Sequence, residues 1–536
     1  MSPLHWVVST YLNTNVAYKV LLGLFISLLC HRLTYKPKQY KLFPIWATVE
    51  VAIASYVLRG PGLGYRVLRH GGSLFGVSRT HQVLVNLPNI DRLLSQSVHT
   101  INAEPVQYTL FTRVFGGVDS PALNEKLGKS WKDLLVPIER LFLNDAAATA
   151  AIERAHIPQQ AASFVTFSSD PANMKRWELS ADARVISPSL PGKVGVVEAN
   201  LQSLTRDFGA CSVIPLLYGM DFLDRCPKLL DDFWKFDNEL FPLLMIGIPT
   251  WAPFKLVREG IKARSRILSE LDALYQRVDR SQQEGALDVN ADLLDVSSVP
   301  FERNKVYVRE GWSFAERAAG DFAVFWGQNA NTHPVLFWFL TYVYSTPGLL
   351  GRVRDEIFPF ITLSDSDPFK ILAMDIPALC RHSQLLKACI FETYRMANEP
   401  TSIRYVARHI TIHDGELDHH LEPGTFISAP HSLVNQNPLI FADPEKFLPD
   451  RFLETDAQTG KLVARYGRLR PWGTGTSMCK GRTFAEKQIM SAGAAIISLW
   501  DIKPVGGIWK LPAMIPGTGV KKPVKDIRVQ IERRVL

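Results

Sequence analysis

The stretch from residue 466 to 499 constrains this chain more than any other. It reads YGRLRPWGTGTSMCKGRTFAEKQIMSAGAAIISL. Gly473, Gly475 and small polar residues hold an irregular loop, Cys479 closes it, and Gly481 follows. Beyond the loop, Ala485, Ile489, Ala492, Ile496 and Leu499 recur at alternating spacings of four and three. That periodicity is one face of a buried helix. Cys479 therefore sits just ahead of a helix N-terminus, where backbone N–H groups and the helix dipole favour a thiolate. A lone thiolate on a glycine-rich loop can be a nucleophile, a structural thiol or an axial ligand to iron.

The rest of the chain supplies a large core around such a loop. Hydrophobic residues make up 47% of the 536 and charged residues 21%, which leaves no long disordered tail. The formal charge of +8 does not by itself indicate nucleic acid. It suits a basic surface facing an anionic membrane or an acidic protein. Six cysteines (Cys30, Cys211, Cys226, Cys380, Cys389, Cys479) have no paired spacing and no CxxC unit, as expected in a reducing compartment without structural zinc.

Residues 16–30, VAYKVLLGLFISLLC, are followed by His31, Arg32, Lys36, Lys38 and Lys41. They read as a signal anchor with Lys19 snorkelling to one interface and the bulk of the chain in the cytosol, or else as a buried core helix. Residues 42–58 are apolar but interrupted by Pro44 and Glu50, and read as a lipid-contacting or buried helix, with a second span open. The Gly60-Pro-Gly62-Leu-Gly64 run places Val67 at the third glycine of a dinucleotide fingerprint, so a turn is expected. Residues 74–77 and 81–85 look like short paired strands, and from about 120 to 350 helical periodicity dominates. Pro242, Pro249 and Pro253 punctuate an apolar link between two helical blocks.

The segment 311–344 contains AGDFAVFWGQNANTHPVLFWFL. Phe322, Phe325, Trp326 and Phe337 make it a core helix, and Pro334 frees the carbonyl of Ala330, so the helix should distort around Asn331 and Thr332. A polar pair at that opening suits a small-molecule or water site, or a solvent-filled kink. In FETYR, Glu392 and Arg395 share a helix face. Leu385, Leu386, Cys389 and Ile390 make that helix apolar, so the pair should be buried. SIRYVARHITI is strand-like and leads into a hairpin around 413–423. Its HDGELDHH cluster lacks a helical i, i+4 His pair, so no metal is expected there. PAMIPGTGV reads as a loop or hairpin tip and IRVQIERR as a closing strand.

The pattern Trp472-Gly-x-Gly-x-x-x-Cys479-x-Gly481-Arg482 closely resembles the heme-binding loop of the cytochrome P-450 family, whose pattern begins with Phe. Trp at that place resembles the branch of prostacyclin synthase and the bile-acid sterol hydroxylases, as does the WGQNANTHP run. The resemblance implies a mainly α fold with small β-sheets (α+β), divided into an anchor and basic linker, 1–41, and a heme-thiolate catalytic domain, 42–536. It implies heme b on Cys479, with Trp472 and Gly473 in the cradle. Thr332 would be the alcohol of a proton-handling pair whose usual acid is replaced here by Asn331. Glu392 and Arg395 would take Arg451, from FLPDRF, as third partner, and Arg404 would meet a heme propionate. Ser477 stands where many relatives carry a basic propionate partner, so basic residues of 110–140 would share that task.

By the same resemblance the chain is expected to be a monooxygenase of the endoplasmic reticulum membrane, single-pass, with its catalytic domain cytosolic. No flavin or nicotinamide site is visible, so electrons from NADPH would arrive through a separate NADPH-cytochrome reductase, with cytochrome b5 as a second donor. Lys480, Lys487, Arg468 and Arg470 are the expected docking cations. Expected pocket residues are Phe322, Phe325, Gln328, Asn329, 401–403 and 513–515. They suit an apolar small molecule such as a terpenoid or sterol, in the style of fungal secondary metabolism. An isomerase or dehydratase needing no reductase, and a non-catalytic heme or lipid-binding membrane protein, are the alternatives.

Overall fold

The helix Arg482–Leu499 is buried from Lys487 through Leu499. A helix apolar all round belongs at the centre of a large domain. Its run of Ser491, Ala492, Gly493, Ala494 and Ala495 permits close approach by neighbours, most tightly at Gly493, where a Cβ would lie 2.5 Å from the ring of Phe339. Helices Asp145–Arg154, Ile157–Ala162 and Thr332–Ser345 pack around it. The computed structural model describes residues 16–34, 74–78, 81–84, 90–187, 195–284, 293–364, 370–413 and 418–535. The readings of 42–58 and of the glycine run at 60–64, and the division at residue 41, lie outside the described residues.

The architecture is mainly helical with small sheets. A five-stranded sheet runs in the order Leu74–Ser78, His81–Leu84, Phe426–Pro430, Thr401–Val406, Ile101–Asn102. The expected pair near residue 80 is its first hairpin. In Thr401–Val406 the alternation of the strand puts Ser402, Arg404 and Val406 on one buried face. An antiparallel sheet in the order Trp500–Pro504, Arg528–Arg533, Val196–Asn200, Arg184–Ser187 includes the expected closing strand. Its last two strands fall within the region read as helical. The 512–520 hairpin is small, Met514–Ile515 pairing with Lys522–Pro523. Ile410–His413 pairs with Asp418–Leu421, and no group of side chains suited to a metal occurs among the described residues; residues 414–417 of that hairpin lie outside them.

The anchor reading is corrected by the structure. Residues Val16–Thr34 form a helix with Leu24, Phe25 and Leu33 exposed. Among the described residues, however, no helix is long and apolar enough to cross a membrane. Lys19 near one end and His31 and Arg32 at the other confine the uncharged run to 20–30. At about 1.5 Å per residue that run reaches roughly 16 Å, against a hydrocarbon core of about 30 Å. The single-pass location in the endoplasmic reticulum falls with the span.

Candidate active site

A cavity of about 1120 Å³ lies between the cysteine loop, the strand Thr401–Val406, the loop 516–520 and the interrupted helix. Cys479 and Thr332 both line it. The loop is fixed by its own backbone: the Cys479 N–H donates to the Trp472 carbonyl at 3.0 Å, and that of Met478 to Gly475 at 3.2 Å. Gly473 and Gly475 adopt φ of 72° and 76°, which side chains rarely tolerate. At Gly475 a Cβ would also sit 2.2 Å from the Leu94 carbonyl oxygen. Gly475→Ala should therefore destabilise the protein by about 2 kcal/mol or more, read by thermal unfolding.

Cys479 stands three residues before the helix Arg482–Leu499. Packing around its sulfur pushes the thiol above its ordinary value, while the Gly481 and Arg482 backbone N–H groups and the Arg482 charge pull it down. The residue nevertheless keeps exposed surface on the cavity wall. A thiol in that balance becomes a thiolate when a cation sits at the sulfur, which fits a metal ligand better than a free nucleophile.

Opposite the loop, the expected single helix is two, Phe314–Asn329 and Thr332–Ser345, separated at Ala330 and Asn331. Pro334 supplies no N–H for the Ala330 carbonyl, and Asn331 turns aside with φ of −111°. Ala323, Val324, Gly327 and Gln328 line the cavity on the first half. Phe322 and Phe325, expected there, instead face away into an aromatic cluster, with ring centroids 4.6 Å from Phe236 and 5.1 Å from Phe233. Ala323, Val324 and Gly327 leave room on the cavity side, which Trp326 also lines, while Phe322 and Phe325 fill the core. Asn329 is likewise buried away from the cavity, donating to the Phe325 carbonyl. Thr401, Ser402 and Ile403 do line it, but 516–520 takes the place expected of 513–515.

Glu392 and Arg395 are both fully buried. Arg395 donates to the two carboxylate oxygens at 2.7 and 2.8 Å, and Arg451 Nε reaches Oε1 at 3.1 Å. The remaining Arg395 donors go to the carbonyls of Asn435, Pro444 and Lys446. This cluster ties the helix Gln384–Ala397 to the turn Pro449–Phe452, and none of its three members lines the cavity.

Arg404 does line it. Its terminal nitrogens donate to the carbonyls of Ile403 and Thr474, its Nε is buried without a partner, and no described carboxylate pairs with it. Burial holds its pKa below the usual value. A buried guanidinium lacking an anion, a cysteine on the wall of a roomy cavity and a mostly apolar lining fit a heme with its propionates. No basic residue of 110–140 lines the cavity; Trp131 does. Of the expected docking cations, Lys480 pairs with Glu139, Lys487 with Asp145 and Arg470 with Asp91, while Arg468 is exposed.

One group was missed in the sequence. Trp472 donates its indole N–H to the Tyr466 hydroxyl at 2.9 Å and to Glu486 Oε1 at 3.2 Å, and Tyr466 donates to the same carboxyl. Burial pushes the Glu486 carboxyl up. The spacings of six and fourteen residues have no local signature, so only the tertiary fold brings these side chains together.

A sequence model of the family described as Cytochrome P450 matches residues 220–528, more than half of the chain. The chain belongs to the cytochrome P450 family. This cytochrome P450 is similar to the monooxygenase poxD of Penicillium oxalicum, 27% identical over 60% of this chain and 61% of the relative. It is also similar to the cytochrome P450 monooxygenase efuG of Hormonema carpetanum, 26% identical over 68% of each chain. The 25-hydroxycholesterol 7-alpha-hydroxylase of Rattus norvegicus is 26% identical over 52% of this chain and 66% of the relative. Both the fungal and the sterol-hydroxylase likenesses expected of this cytochrome P450 are thus represented. The chain spans less than two thirds of the length of the first of these relatives.

Proposed function

We propose that this cytochrome P450 is a heme-thiolate monooxygenase acting on a largely apolar small molecule, with electrons supplied from NADPH by a separate reductase. The observation that carries the reading is that Cys479 and Thr332 line one cavity of about 1120 Å³. Bound heme supplies the reductive activation of dioxygen. Cys479 would hold its iron and Arg404 one of its carboxylates. Ala323, Val324 and Gly327 keep the opposite wall thin enough to admit a substrate. Thr332 Oγ1 would move protons at the opening that Pro334 creates, with Asn331 beside it. Sterol- or terpenoid-like skeletons of fungal secondary metabolism suit the apolar wall, and relatives named for monooxygenase and sterol-hydroxylase activity support that choice.

Thr332→Ala tests the proton role. Heme content should stay unchanged, and product per NADPH should fall roughly tenfold or more, with hydrogen peroxide accounting for the missing electrons. Assays need the reductase, an accepted substrate, and product and peroxide counts. Unchanged coupling would remove Thr332 from the proton path. Turnover without any NADPH consumption would favour an isomerase over the monooxygenase.

A further inference from the structure

Among the described residues that line the cavity, Glu399 is the only carboxylate. It follows the helix Gln384–Ala397, and its own N–H donates to the Gly519 carbonyl at 2.8 Å, which fixes the backbone against the 516–520 loop. The side chain is 27% exposed, so its carboxyl is accessible on a wall otherwise made mostly of apolar groups. The nearby Gly517 backbone N–H favours its charged form, and Lys521 Nζ lies 4.0 Å away. Lys521 is itself buried and donates to the Met396 carbonyl at 3.3 Å.

Several polar groups nearby are already committed, while the side-chain oxygen of Asn398, adjacent in the chain, has no hydrogen-bond partner among the described residues. Thr518 donates its hydroxyl to Asp237 at 2.8 Å, Gln328 donates to the Val213 carbonyl at 2.7 Å, and Ser402 pairs with His431 at 2.9 Å. The Asn331 amide oxygen is packed over Gly519, where a Cβ would lie 2.4 Å from it, and it too has no hydrogen-bond partner among the described residues; Glu399 differs from both amides in being charged. Glu399 thus retains acceptor capacity at one corner of the cavity, beside the helix break. A carboxylate has about four lone-pair sites, and one backbone N–H and a distant ammonium leave some of them open.

We propose that Glu399 is a specificity-determining residue that accepts a hydrogen bond from a hydroxyl group on the substrate. The preferred substrate is a neutral, apolar skeleton bearing an alcohol. Lys521 nearly balances the carboxylate charge, so a cationic amine finds no net negative site there. An ionised organic acid has no proton to donate to the carboxylate, and an ether or a hydrocarbon leaves the acceptor unpaired. Burial pushes the Glu399 carboxyl up from its ordinary value, which further weakens any preference for a cation over a neutral donor. The inference rests on the cavity being the substrate site of a heme enzyme.

The test uses heme-loaded protein and four probes on one skeleton: 5α-androstan-3β-ol, its methyl ether, its hemisuccinate and the corresponding 3-amine. Binding is followed by equilibrium dialysis and by the heme absorbance shift. A chain that takes up no heme fails the underlying reading, and this is seen before any probe is added. The alcohol should bind roughly ten to a hundredfold tighter than the ether, with acid and amine weaker than the alcohol. Glu399→Leu should erase that preference while leaving ether affinity unchanged, and Glu399→Gln, which keeps an acceptor oxygen, should retain most of it. Equal affinity for alcohol and ether, including no measurable binding of either, overturns the proposal. So does an alcohol preference that survives in Glu399→Leu. Tighter binding of the amine than of the alcohol overturns the neutral-donor assignment.

Discussion

Replacing Glu392 with alanine should leave little folded, heme-loaded protein. The carboxylate is fully buried and accepts from Arg395, Arg451 and the Leu448 N–H. Without it, Arg395 is a buried cation left with backbone carbonyls, the Met396 sulfur and the Phe441 ring, none of which carries a charge. Removing one member of such a cluster costs about 3–5 kcal/mol, a large part of the stability of an ordinary domain. Soluble yield, heme content and thermal unfolding would check this. Normal recovery of heme-loaded protein would show that the cluster is dispensable. Glu392→Gln should fall in between, because it keeps the shape and two acceptor sites while losing the charge.

Cys479→Ala should behave in the opposite way, keeping the fold and losing the chemistry. The sulfur belongs to a cavity wall, so its removal opens no new void in the core, and the stability change should stay within about 1 kcal/mol. Heme content and the spectrum of the carbon-monoxide complex should both change. No other cysteine can replace it: none of Cys30, Cys211, Cys226, Cys380 and Cys389 lines the cavity. Survival of a thiolate-type spectrum in this variant would move the ligand elsewhere.

The parts of the site legible in the sequence are those written in local spacing. The Gly-rich loop and the buried helix after Cys479 follow from residues a few positions apart, and so do the break before Pro334 and the i, i+3 pair of Glu392 and Arg395. Orientation was less legible. Periodicity marks 314–329 as a core helix, but that segment meets two apolar environments, one packed and one open. Phe322 and Phe325 look like pocket residues by chemistry, yet their size suits the packed side, and Ala323, Val324 and Gly327 take the open one. The Trp472–Tyr466–Glu486 group and the corner at Glu399 depend on contacts between distant elements, for which no spacing rule exists. The first helix looks like a span because its apolar character is strong, while its uncharged length between Lys19 and His31 is short.

The central claim is that the cavity holds a heme whose iron is bound by the Cys479 thiolate. The most direct measurement is the difference spectrum of the wild-type protein, reduced and then exposed to carbon monoxide. The account predicts the strongly red-shifted Soret band that thiolate ligation gives to a ferrous carbon-monoxide heme. A band at the shorter wavelength of imidazole or neutral-thiol ligation, or protein folded without any heme, would contradict it.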